Sequence, residues 1–315
     1  MTRHLRARPS PLLVAAALLL TACEGGQPGM HSDARETVMD PAEPMALAQA
    51  HAHNDYEHPR PLLDALSHGF MSVEADVFAA PLPPEMMAAL PVALPLVSTL
   101  YVAHDPQDIR PERTLRRLYL DHLWERFEQD GQLYPDQVAP LQLLIDFKTE
   151  AETTWLVLEP ILEDYAPMLT RYADGEVHPG MVTVVISGNR PTNTLAAQAQ
   201  RLAFIDGRLP DLDSPSQVEL MPLISDNWGN HFRWRGEGPM PEEEQAKLLS
   251  TIEKTQALGA RLRFWATPDA PGPAREALWT VLADASLDHI NTDDLPGLAA
   301  FLRERARQAS TPASP

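Results

Sequence analysis

From residue 47 to residue 308, short apolar stretches alternate regularly with longer helix-like stretches, and this alternation indicates the fold class. Eight of the apolar stretches are typical of buried β-strands, because they are short and most are bounded by Gly, Pro, Asp or Asn. These stretches cover residues 47–53, 70–78, 141–148, 181–187, 201–205, 221–226, 261–267 and 287–292. Helix-like stretches cover residues 61–67, 114–129, 153–172, 191–200, 241–258, 275–283 and 295–308.

Eight strands with helices between them match the expected size of a (β/α)8 barrel, which is about 250 residues. The competing architecture is a doubly wound open sheet with a Gly-rich phosphate loop. Neither G-x-G-x-x-G nor G-x-x-x-x-G-K occurs in the sequence. The sequence therefore predicts an α/β fold of the (β/α)8, or TIM-barrel, class, and its single cysteine excludes an intramolecular disulfide.

The first 22 residues have the pattern of an export signal. Arg3, Arg6 and Arg8 precede an apolar stretch at residues 11–20, which is too short to span a bilayer as a helix. Residues 20–23, Leu-Thr-Ala-Cys, resemble the lipobox of bacterial lipoproteins. The resemblance implies a lipid on Cys23 and a place in the bacterial cell envelope, on the periplasmic side of the outer membrane or at the cell surface. An ordinary signal peptide with a chance cysteine is the alternative.

We predict four parts of the chain: a signal peptide over residues 1–22, a flexible tether over 23–46, a barrel over 47–308 and a disordered tail over 309–315. The formal net charge is −19, and such an acidic chain is expected to repel nucleic acid. Phosphate chemistry would therefore depend on a local site. Membrane attachment would depend on the lipid at Cys23 rather than on a basic surface.

Two carboxylates lie two residues apart in the second predicted strand. Because side chains two apart in a strand share a face, Glu74 and Asp76 project together, while Val73, Ala75 and Val77 face the other way. Neighbouring carboxylates repel unless a cation or a proton lies between them. A divalent ion with oxygen ligands is the natural partner, and an edge strand with a solvated acidic face is the alternative.

Asp146 and Lys148 repeat this spacing in the predicted strand 141–148. The strand begins with apolar residues, so we expect it to be central and its polar face to point into a functional site. A surface ion pair is the alternative. Ionisable residues near the C-terminal ends of barrel strands are typical of catalytic sites. Asp146 would complete a three-carboxylate site for one divalent cation, Mg²⁺ or Ca²⁺, and Lys148 would contact a phosphoryl oxygen.

Histidines follow two of the apolar stretches. His51 and His53 lie at the end of the first predicted strand, and His104 follows the apolar run 100–103. Histidine can ligate a metal or transfer protons, and with three carboxylates nearby we assign His53 and His104 to general acid–base catalysis. Trp228 and Trp265 are candidates for a head-group pocket, with burial in the core as the alternative.

Four motifs in this order resemble the phospholipase-C-like phosphodiesterase superfamily. They are Ala-His-Asn-Asp-Tyr at 52–56, Ser-Val-Glu-Ala-Asp-Val at 72–77, Val-Ala-His-Asp at 102–105 and Leu-Ile-Asp-Phe-Lys at 144–148. Within the superfamily they are similar to the branch of altered inheritance of mitochondria protein six, a relative of the glycerophosphodiester phosphodiesterases. Residues 290–294, Ile-Asn-Thr-Asp-Asp, resemble the closing strand of that family.

The resemblance implies a phosphoric diester hydrolase that acts on a phosphodiester or lysophospholipid-like substrate. In that chemistry the hydroxyl next to the diester is the internal nucleophile, and a cyclic phosphate forms. The implied roles are metal ligation by Glu74, Asp76 and Asp146, base and acid catalysis by His53 and His104, and phosphate contact by Lys148 and Asn54.

Three features depart from the family pattern. Asn54 stands where ordinary glycerophosphodiesterases have an arginine, so a bidentate phosphate donor is missing. Asp146 stands where many relatives have Glu. A Pro-rich insertion at residues 79–98 separates Asp76 from His104.

Two other functions compete with this assignment. A binuclear-metal amidohydrolase or phosphoesterase would use His51 and His53, but it also needs histidines after later strands, where this chain has Asp206 and Asp226. A non-catalytic, ligand-binding lipoprotein is the other alternative, although a complete set of catalytic residue types argues against it.

Overall fold

A computed structural model of the protein describes residues 44–82, 84–90, 98–213 and 219–310. The predicted signal peptide, Cys23, most of the predicted tether and residues 311–315 of the predicted tail lie outside the described residues.

The described residues contain eleven β-strands. They are β1 (Leu47–Ala52), β2 (Phe70–Ala80), β3 (Thr99–Val102), β4 (Leu141–Phe147), β5 (Arg171–Ala173), β6 (Glu176–His178), β7 (Val182–Gly188), β8 (Ala203–Gly207), β9 (Leu223–Asn227), β10 (Arg261–Trp265) and β11 (His289–Thr292).

Nine α-helices occur in the same described ranges. They are α1 (Leu63–Ser67), α2 (Pro84–Ala89), α3 (Asp121–Asp130), α4 (Ala151–Glu163), α5 (Thr192–Ala197), α6 (Trp228–His231), α7 (Glu242–Ala257), α8 (Pro273–Asp284) and α9 (Leu295–Ser310). A π-helical segment, Arg116–Leu120, runs directly into α3. None of the helices in these ranges combines the length and hydrophobicity needed to cross a bilayer.

Eight strands form a closed parallel barrel. Around the ring the order is β1, β2, β4, β7, β8, β9, β10 and β11, and β11 pairs with β1 to close it. Each neighbouring pair in this ring is parallel. The predicted (β/α)8 fold is therefore confirmed, and each of the eight predicted strands is present. The short strand β3 lies outside the ring and pairs antiparallel with the C-terminal end of β2.

The predicted helix over residues 153–172 is wrong in its second half. Helix α4 ends at Glu163, and Arg171–Ala173 forms one strand of the β5–β6 hairpin. Pro167 lacks a backbone N–H and disfavours the helical conformation of the residue before it, so a helix cannot continue easily through this segment. Residues 309 and 310, which were predicted to belong to the disordered tail, are instead the last residues of α9.

Alternation along the strands separates two apolar regions. Val73, Ala75 and Val77 belong to the large core between the barrel and its helices, as expected. A smaller apolar cluster contains one residue each from β4, β7, β8 and β9: Leu144, Val185, Phe204 and Leu223. Leu144 lies two residues before Asp146, so both face the barrel interior. The apolar cluster therefore fills the barrel below the polar residues at the C-terminal ends of the strands.

Candidate active site

Three carboxylates meet at the C-terminal ends of β2 and β4. Asp76 lies directly opposite Asp146 in the parallel register of the two strands, and Glu74 is one side-chain layer deeper on β2. One carboxylate oxygen from each of Glu74, Asp76 and Asp146 lies within 4.8 Å of the others. The predicted three-carboxylate cluster is therefore formed, and the pairing of β2 with β4 is what brings it together.

Two basic side chains partly neutralise these carboxylates. Lys148 Nζ lies 2.9 Å from Asp76 Oδ2 and 3.2 Å from Asp146 Oδ1. Arg263, on β10, donates from Nη2 to Glu74 Oε2 at 2.9 Å, and both members of this pair are buried. Among the described residues, the site therefore contains three carboxylates that form ion pairs with two cationic side chains.

The environment shifts the pKa values of the three acids in different directions. Burial opposes ionisation of Glu74, but the charge of Arg263 and the contact with His51 together hold its pKa well below the usual range. Burial and the charge of Glu74 raise the pKa of Asp76 to about 6, against the effect of Lys148 and Tyr56. Burial also raises the pKa of Asp146, and Lys148 only partly offsets it.

Three carboxylates face only two cationic side chains, Lys148 and Arg263, so the cluster has one carboxylate more than its cations can neutralise. Asp76 Oδ1 is also buried without a hydrogen-bond partner among the described residues. An unpaired carboxylate oxygen beside two further carboxylates fits the oxygen coordination of a divalent cation such as Mg²⁺ or Ca²⁺. The residues present therefore fit the predicted metal.

His53 lies just beyond β1, and its Nδ1 is 2.7 Å from Asp293 Oδ1. An ionised carboxylate only accepts hydrogen bonds, so Nδ1 carries the proton and Nε2 is the free nitrogen. Burial lowers the pKa of His53, but the hydrogen bond to Asp293 and the charge of Glu74 outweigh it and raise the pKa overall. The first histidine is thus oriented and made more basic by Asp293.

His104 follows β3 and is held through Tyr56. The Tyr56 hydroxyl donates to Asp76 Oδ2 at 2.7 Å and lies 2.8 Å from His104 Nδ1. Burial and the charge of Asp76 raise the pKa of Tyr56 far above its usual range, so the hydroxyl stays protonated. With its proton directed to Asp76, the hydroxyl oxygen accepts from His104 Nδ1, which leaves Nε2 of His104 free.

Both histidines and the three carboxylates line one cavity of about 260 Å³. Eight of the residues predicted for the site line it: His53, Asn54, Glu74, Asp76, His104, Asp146, Lys148 and Trp265. The cavity is also lined by Ser187, Arg208, Ser225 and Arg263, none of which is predicted from the sequence.

Asn54 is built into the histidine network. Its backbone is left-handed, with φ 47°, a conformation that Asn tolerates better than most residues. Its side-chain oxygen lies 2.8 Å from the Tyr56 hydroxyl, and its amide nitrogen lies 3.0 Å from His53 Nδ1 and 3.4 Å from Asp293 Oδ1. The side chain that was predicted to contact phosphate thus lies between the groups that hold His53 and His104.

The prediction that Trp228 lines a head-group pocket is wrong. Trp228 is fully buried, stacks on Phe232 with ring centroids 4.1 Å apart and donates from Nε1 to the carbonyl of Trp234. Its side chain therefore belongs to the core. Trp265 is 37% exposed and lines the cavity, so only the second tryptophan is placed to contact a substrate.

His51 is not a cavity residue. It is fully buried, its Nδ1 lies 2.7 Å from Ser72 Oγ, and burial with the charge of Arg263 lowers its pKa to about 3. Within the described ranges, the one cluster of three or more possible metal ligands contains carboxylates and no histidine. This composition argues against the binuclear-metal alternative that pairs His51 with His53.

Four residues important to this geometry were missed: Tyr56, Arg208, Arg263 and Asp293. Tyr56 and Asp293 lie inside motifs that carried the family resemblance, but nothing local assigns them a partner. Arg263 left a usable signal, because it alternates with Leu262 and Phe264 in a central strand and must share the face opposite those apolar residues.

Comparison with known proteins identifies the family. The sequence profile described as an AIM6-like phosphodiesterase domain matches residues 41–86 and 94–206, just over half of the 315 residues. The chain belongs to this family. The part of the AIM6-like domain that matches includes the two histidines and three carboxylates of the candidate site.

Curated relatives of this AIM6-like protein are fungal. The altered inheritance of mitochondria protein 6 homolog of Arthroderma benhamiae is 28% identical over 78% of this chain and 81% of its own length. Altered inheritance of mitochondria protein 6 of Candida glabrata is 28% identical over 80% of this chain and 70% of its own. The protein of the same name from Eremothecium gossypii is 27% identical over 88% and 74%, respectively.

A solved structure is also similar. The crystal structure of a glycerophosphodiester phosphodiesterase from Parabacteroides distasonis superposes with a TM-score of 0.49 and 12% identity, covering 83% of this chain and 99% of that one.

The predicted place in a bacterial cell envelope is wrong. The altered inheritance of mitochondria protein 6 relatives come from fungi, including Arthroderma benhamiae, Candida glabrata and Saccharomyces cerevisiae, which contradicts a bacterial lipoprotein. Cys23, on which that prediction depended, lies outside the described residues.

Proposed function

We propose that the protein is a metal-dependent phosphodiester hydrolase in which His53 and His104 are the general base and general acid. The observation that carries this proposal is the cavity in which three carboxylates, clustered within 4.8 Å, face two histidines that each have one ring nitrogen held by a partner. The membership of an AIM6-like phosphodiesterase domain family supports the same reaction class.

Glu74, Asp76 and Asp146 are the residues that would hold the cation. A divalent cation bound by them would supply charge neutralisation for the phosphoryl oxygens. Lys148 binds phosphate in this proposal, because its ammonium group has three N–H donors and only two carboxylate partners. The third donor is available to a phosphoryl oxygen.

His53 takes the proton from the attacking hydroxyl at its free Nε2. Asp293 stabilises the imidazolium that results, because the hydrogen bond from Nδ1 becomes charge-assisted on both sides. The attacking hydroxyl is on the substrate, next to the diester, and proximity makes this intramolecular attack efficient. A new P–O bond forms and closes a cyclic phosphate as the P–O bond to the leaving alcohol breaks.

His104 supplies a proton to the leaving alcohol oxygen from Nε2. Tyr56 holds the other ring nitrogen, so the imidazole presents Nε2 to the cavity in both protonation states. The proton that His53 gains and the proton that His104 loses balance in one turnover. In the second half-reaction, hydrolysis of the cyclic phosphate by water uses the two histidines in exchanged roles.

The test is hydrolysis of a panel of phosphodiesters by the purified protein. The panel contains glycerophosphodiesters, lysophospholipids and a chromogenic diester, each assayed with added Mg²⁺ or Ca²⁺ and with chelator. We expect metal-dependent turnover that is lost in Glu74→Gln and retained in Glu244→Gln, a carboxylate that caps backbone N–H groups outside the cavity. A folded, metal-loaded protein that hydrolyses no diester would overturn the proposal.

A further inference from the structure

The wall of the cavity beyond the carboxylates is organised by one buried acid. Asp206, near the end of β8, is fully buried. Its Oδ2 accepts hydrogen bonds from Ser187 Oγ at 2.8 Å, Ser225 Oγ at 2.6 Å and Arg208 Nη1 at 2.7 Å. Ser187, Ser225 and Arg208 all line the cavity. The carboxylate of Asp206 does not line the cavity, but it holds three side chains that do.

The guanidinium of Arg208 is bound on one side only. Besides Asp206 Oδ2, its Nη1 lies within hydrogen-bond distance of the carbonyls of Asp206 at 3.1 Å and Gly207 at 2.9 Å and of Ser225 Oγ at 3.4 Å. Its Nη2 makes one long contact, 3.4 Å to Ser187 Oγ, and its Nε has no partner among the described residues. The Nε–Nη2 edge is the edge with which arginine binds a carboxylate or a phosphate in a bidentate manner. That edge is open, on a side chain that is 29% exposed.

A second cationic side chain lies near Arg208. A second arginine, Arg190, donates to the same main-chain carbonyl of Asp206. Burial and the charge of Arg208 lower the pKa of Arg190, as expected where two guanidinium groups lie close together. Asp211 accepts from the backbone N–H of Arg208 at 2.7 Å and makes no hydrogen bond to its guanidinium. Asp211 therefore accepts no hydrogen bond from the guanidinium N–H groups of Arg208.

The open edge is beside the reacting centre and not at it. Asp146 on β4 lies opposite Ser187 on β7, and Arg208 follows β8, the next strand around the barrel. Neighbouring strands are about 4.8 Å apart. A substrate whose phosphodiester contacts Lys148 and the carboxylates would therefore place a group attached to that diester against Arg208.

We infer that Arg208 forms an anion-binding subsite, which binds a carboxylate carried by the alcohol part of the phosphodiester substrate. This inference rests on the proposed function. It deepens that function by naming the substrate class: a phosphodiester whose head group carries its own carboxylate, rather than a head group with a cation alone. Arg208 is in this sense a specificity-determining residue, and Asp206 is the residue that positions it.

The test uses two substrates that differ only in the carboxylate, glycerophosphoserine and glycerophosphoethanolamine. We define the preference as the ratio of kcat/KM for the serine diester to kcat/KM for the ethanolamine diester. In Arg208→Gln this ratio is expected to fall about 10- to 100-fold, the effect of losing a charge-assisted bidentate contact. In Arg208→Lys, which keeps the positive charge but lacks the planar pair of N–H donors, the ratio should fall less.

Arg190→Gln is the matched control. Arg190 contacts the same Asp206 carbonyl but does not line the cavity, so its removal perturbs the contacts around Asp206 without removing the subsite. The preference ratio should be unchanged in this variant. An equal fall in Arg190→Gln and Arg208→Gln would overturn the subsite, because the effect would then come from loop structure.

A binding measurement separates this inference from the proposed function. Calorimetric titration of both diesters in chelator, where no turnover is expected, should show weaker binding of glycerophosphoserine to Arg208→Gln and little change for glycerophosphoethanolamine. If the wild type hydrolyses neither diester but shows this selective binding, the subsite stands and the proposed function fails. If the affinity for both diesters falls by the same factor in Arg208→Gln, the arginine contacts the shared phosphate, and the head-group subsite is overturned.

Discussion

Asp293 Oδ1 lies 2.7 Å from Nδ1 of His53, although the two residues are 240 positions apart in the chain. The contact exists because β11 closes the barrel against β1, which brings the loop after the last strand to the residue after the first. The hydrogen bond that His53 Nδ1 donates to Asp293 sets which nitrogen of His53 faces the cavity and raises the pKa of that histidine.

Asp293→Asn is expected to lower the pKa of His53, because burial then acts against a weaker opposing contact. If His53 is the base, activity rises as pH rises through its pKa. In the wild type this rise in activity is centred above the ordinary imidazole pKa of about 6.5, and in Asp293→Asn it moves to lower pH. The dependence of kcat/KM on pH between 4 and 9 measures the shift. If kcat/KM rises at the same pH in both proteins, Asp293 does not set the pKa of the base. Turnover at the optimum should also fall, by about tenfold or more.

His104→Ala should reduce turnover by about 10²- to 10⁴-fold, the range for losing a general acid or base. Folding and divalent-metal binding should be retained, since no carboxylate of the cluster is removed. His122→Ala is the control, because His122 lies on α3 and does not line the cavity. Full activity in His104→Ala would remove this histidine from the mechanism.

Asp146→Asn should weaken binding of Mg²⁺ or Ca²⁺ by at least about tenfold, because it removes one of three carboxylate ligands. Asp146 is less buried than Glu74 or Asp76, so this substitution tests the metal site with the smallest risk to folding. Isothermal titration calorimetry with each cation measures the effect. Unaltered affinity would place the metal elsewhere.

The buried pair between Arg263 and Glu74 should be costly to break. Arg263→Met leaves the carboxylate of Glu74 buried without its cation, and we expect a loss of about 3–5 kcal/mol in the free energy of unfolding. The double variant Arg263→Met with Glu74→Gln should recover part of that loss, because no unpaired charge remains. Urea denaturation followed by tryptophan fluorescence provides the measurement.

Arg305→Ala is the matched control for that experiment, because its partner Asp284 is exposed. Removing this surface pair should cost no more than about 1 kcal/mol. Equal losses in Arg263→Met and Arg305→Ala would contradict the strength assigned to the buried pair.

Stability should fall as pH rises from about 4 to 7, and Asp55 contributes to this fall together with Asp76 and Asp146, whose pKa values are also raised by burial. The Asp55 carboxyl is fully buried, and burial raises its pKa to about 7, although it accepts a hydrogen bond from the Leu62 backbone N–H. The unfolded chain releases this proton near pH 3.8, while the folded chain keeps it up to about pH 7. Ionisation therefore favours the unfolded state throughout that window, by at most about 4 kcal/mol at its upper end.

Asp55→Asn removes the ionisation and should flatten this part of the stability curve. The control is Asp130→Asn, which changes an exposed carboxyl at the end of α3. Denaturation midpoints between pH 4 and 8 give both slopes. If Asp55→Asn keeps the wild-type slope, Asp55 does not titrate in this window.

The period-two pattern of strands explains why much of the site was predictable. Glu74 and Asp76 share a face in any extended strand, and so do Leu144 and Asp146, whatever surrounds them. Apolar residues at the alternate positions then show which face meets the helices. The carboxylate cluster therefore followed from local geometry together with the known closure of eight parallel strands.

Partners from distant strands could not be predicted in this way. Arg263 and Glu74 are 189 positions apart, and Tyr56 and His104 are 48 apart. Both contacts depend on register and on the shape of the loops, neither of which leaves a periodic trace in the sequence. The same applies to Trp228, which follows a strand as a site residue might, but turns into the core beside Phe232.

The strand and helix order, the barrel class and the residue types that face its C-terminal end can thus be predicted from the sequence, because these depend on local periodicity and on the fold that such alternation permits. The folded barrel is needed to see which charges neutralise each other, how each histidine is oriented and which arginine keeps an open edge. Those properties depend on distances between side chains that approach one another only when the barrel closes.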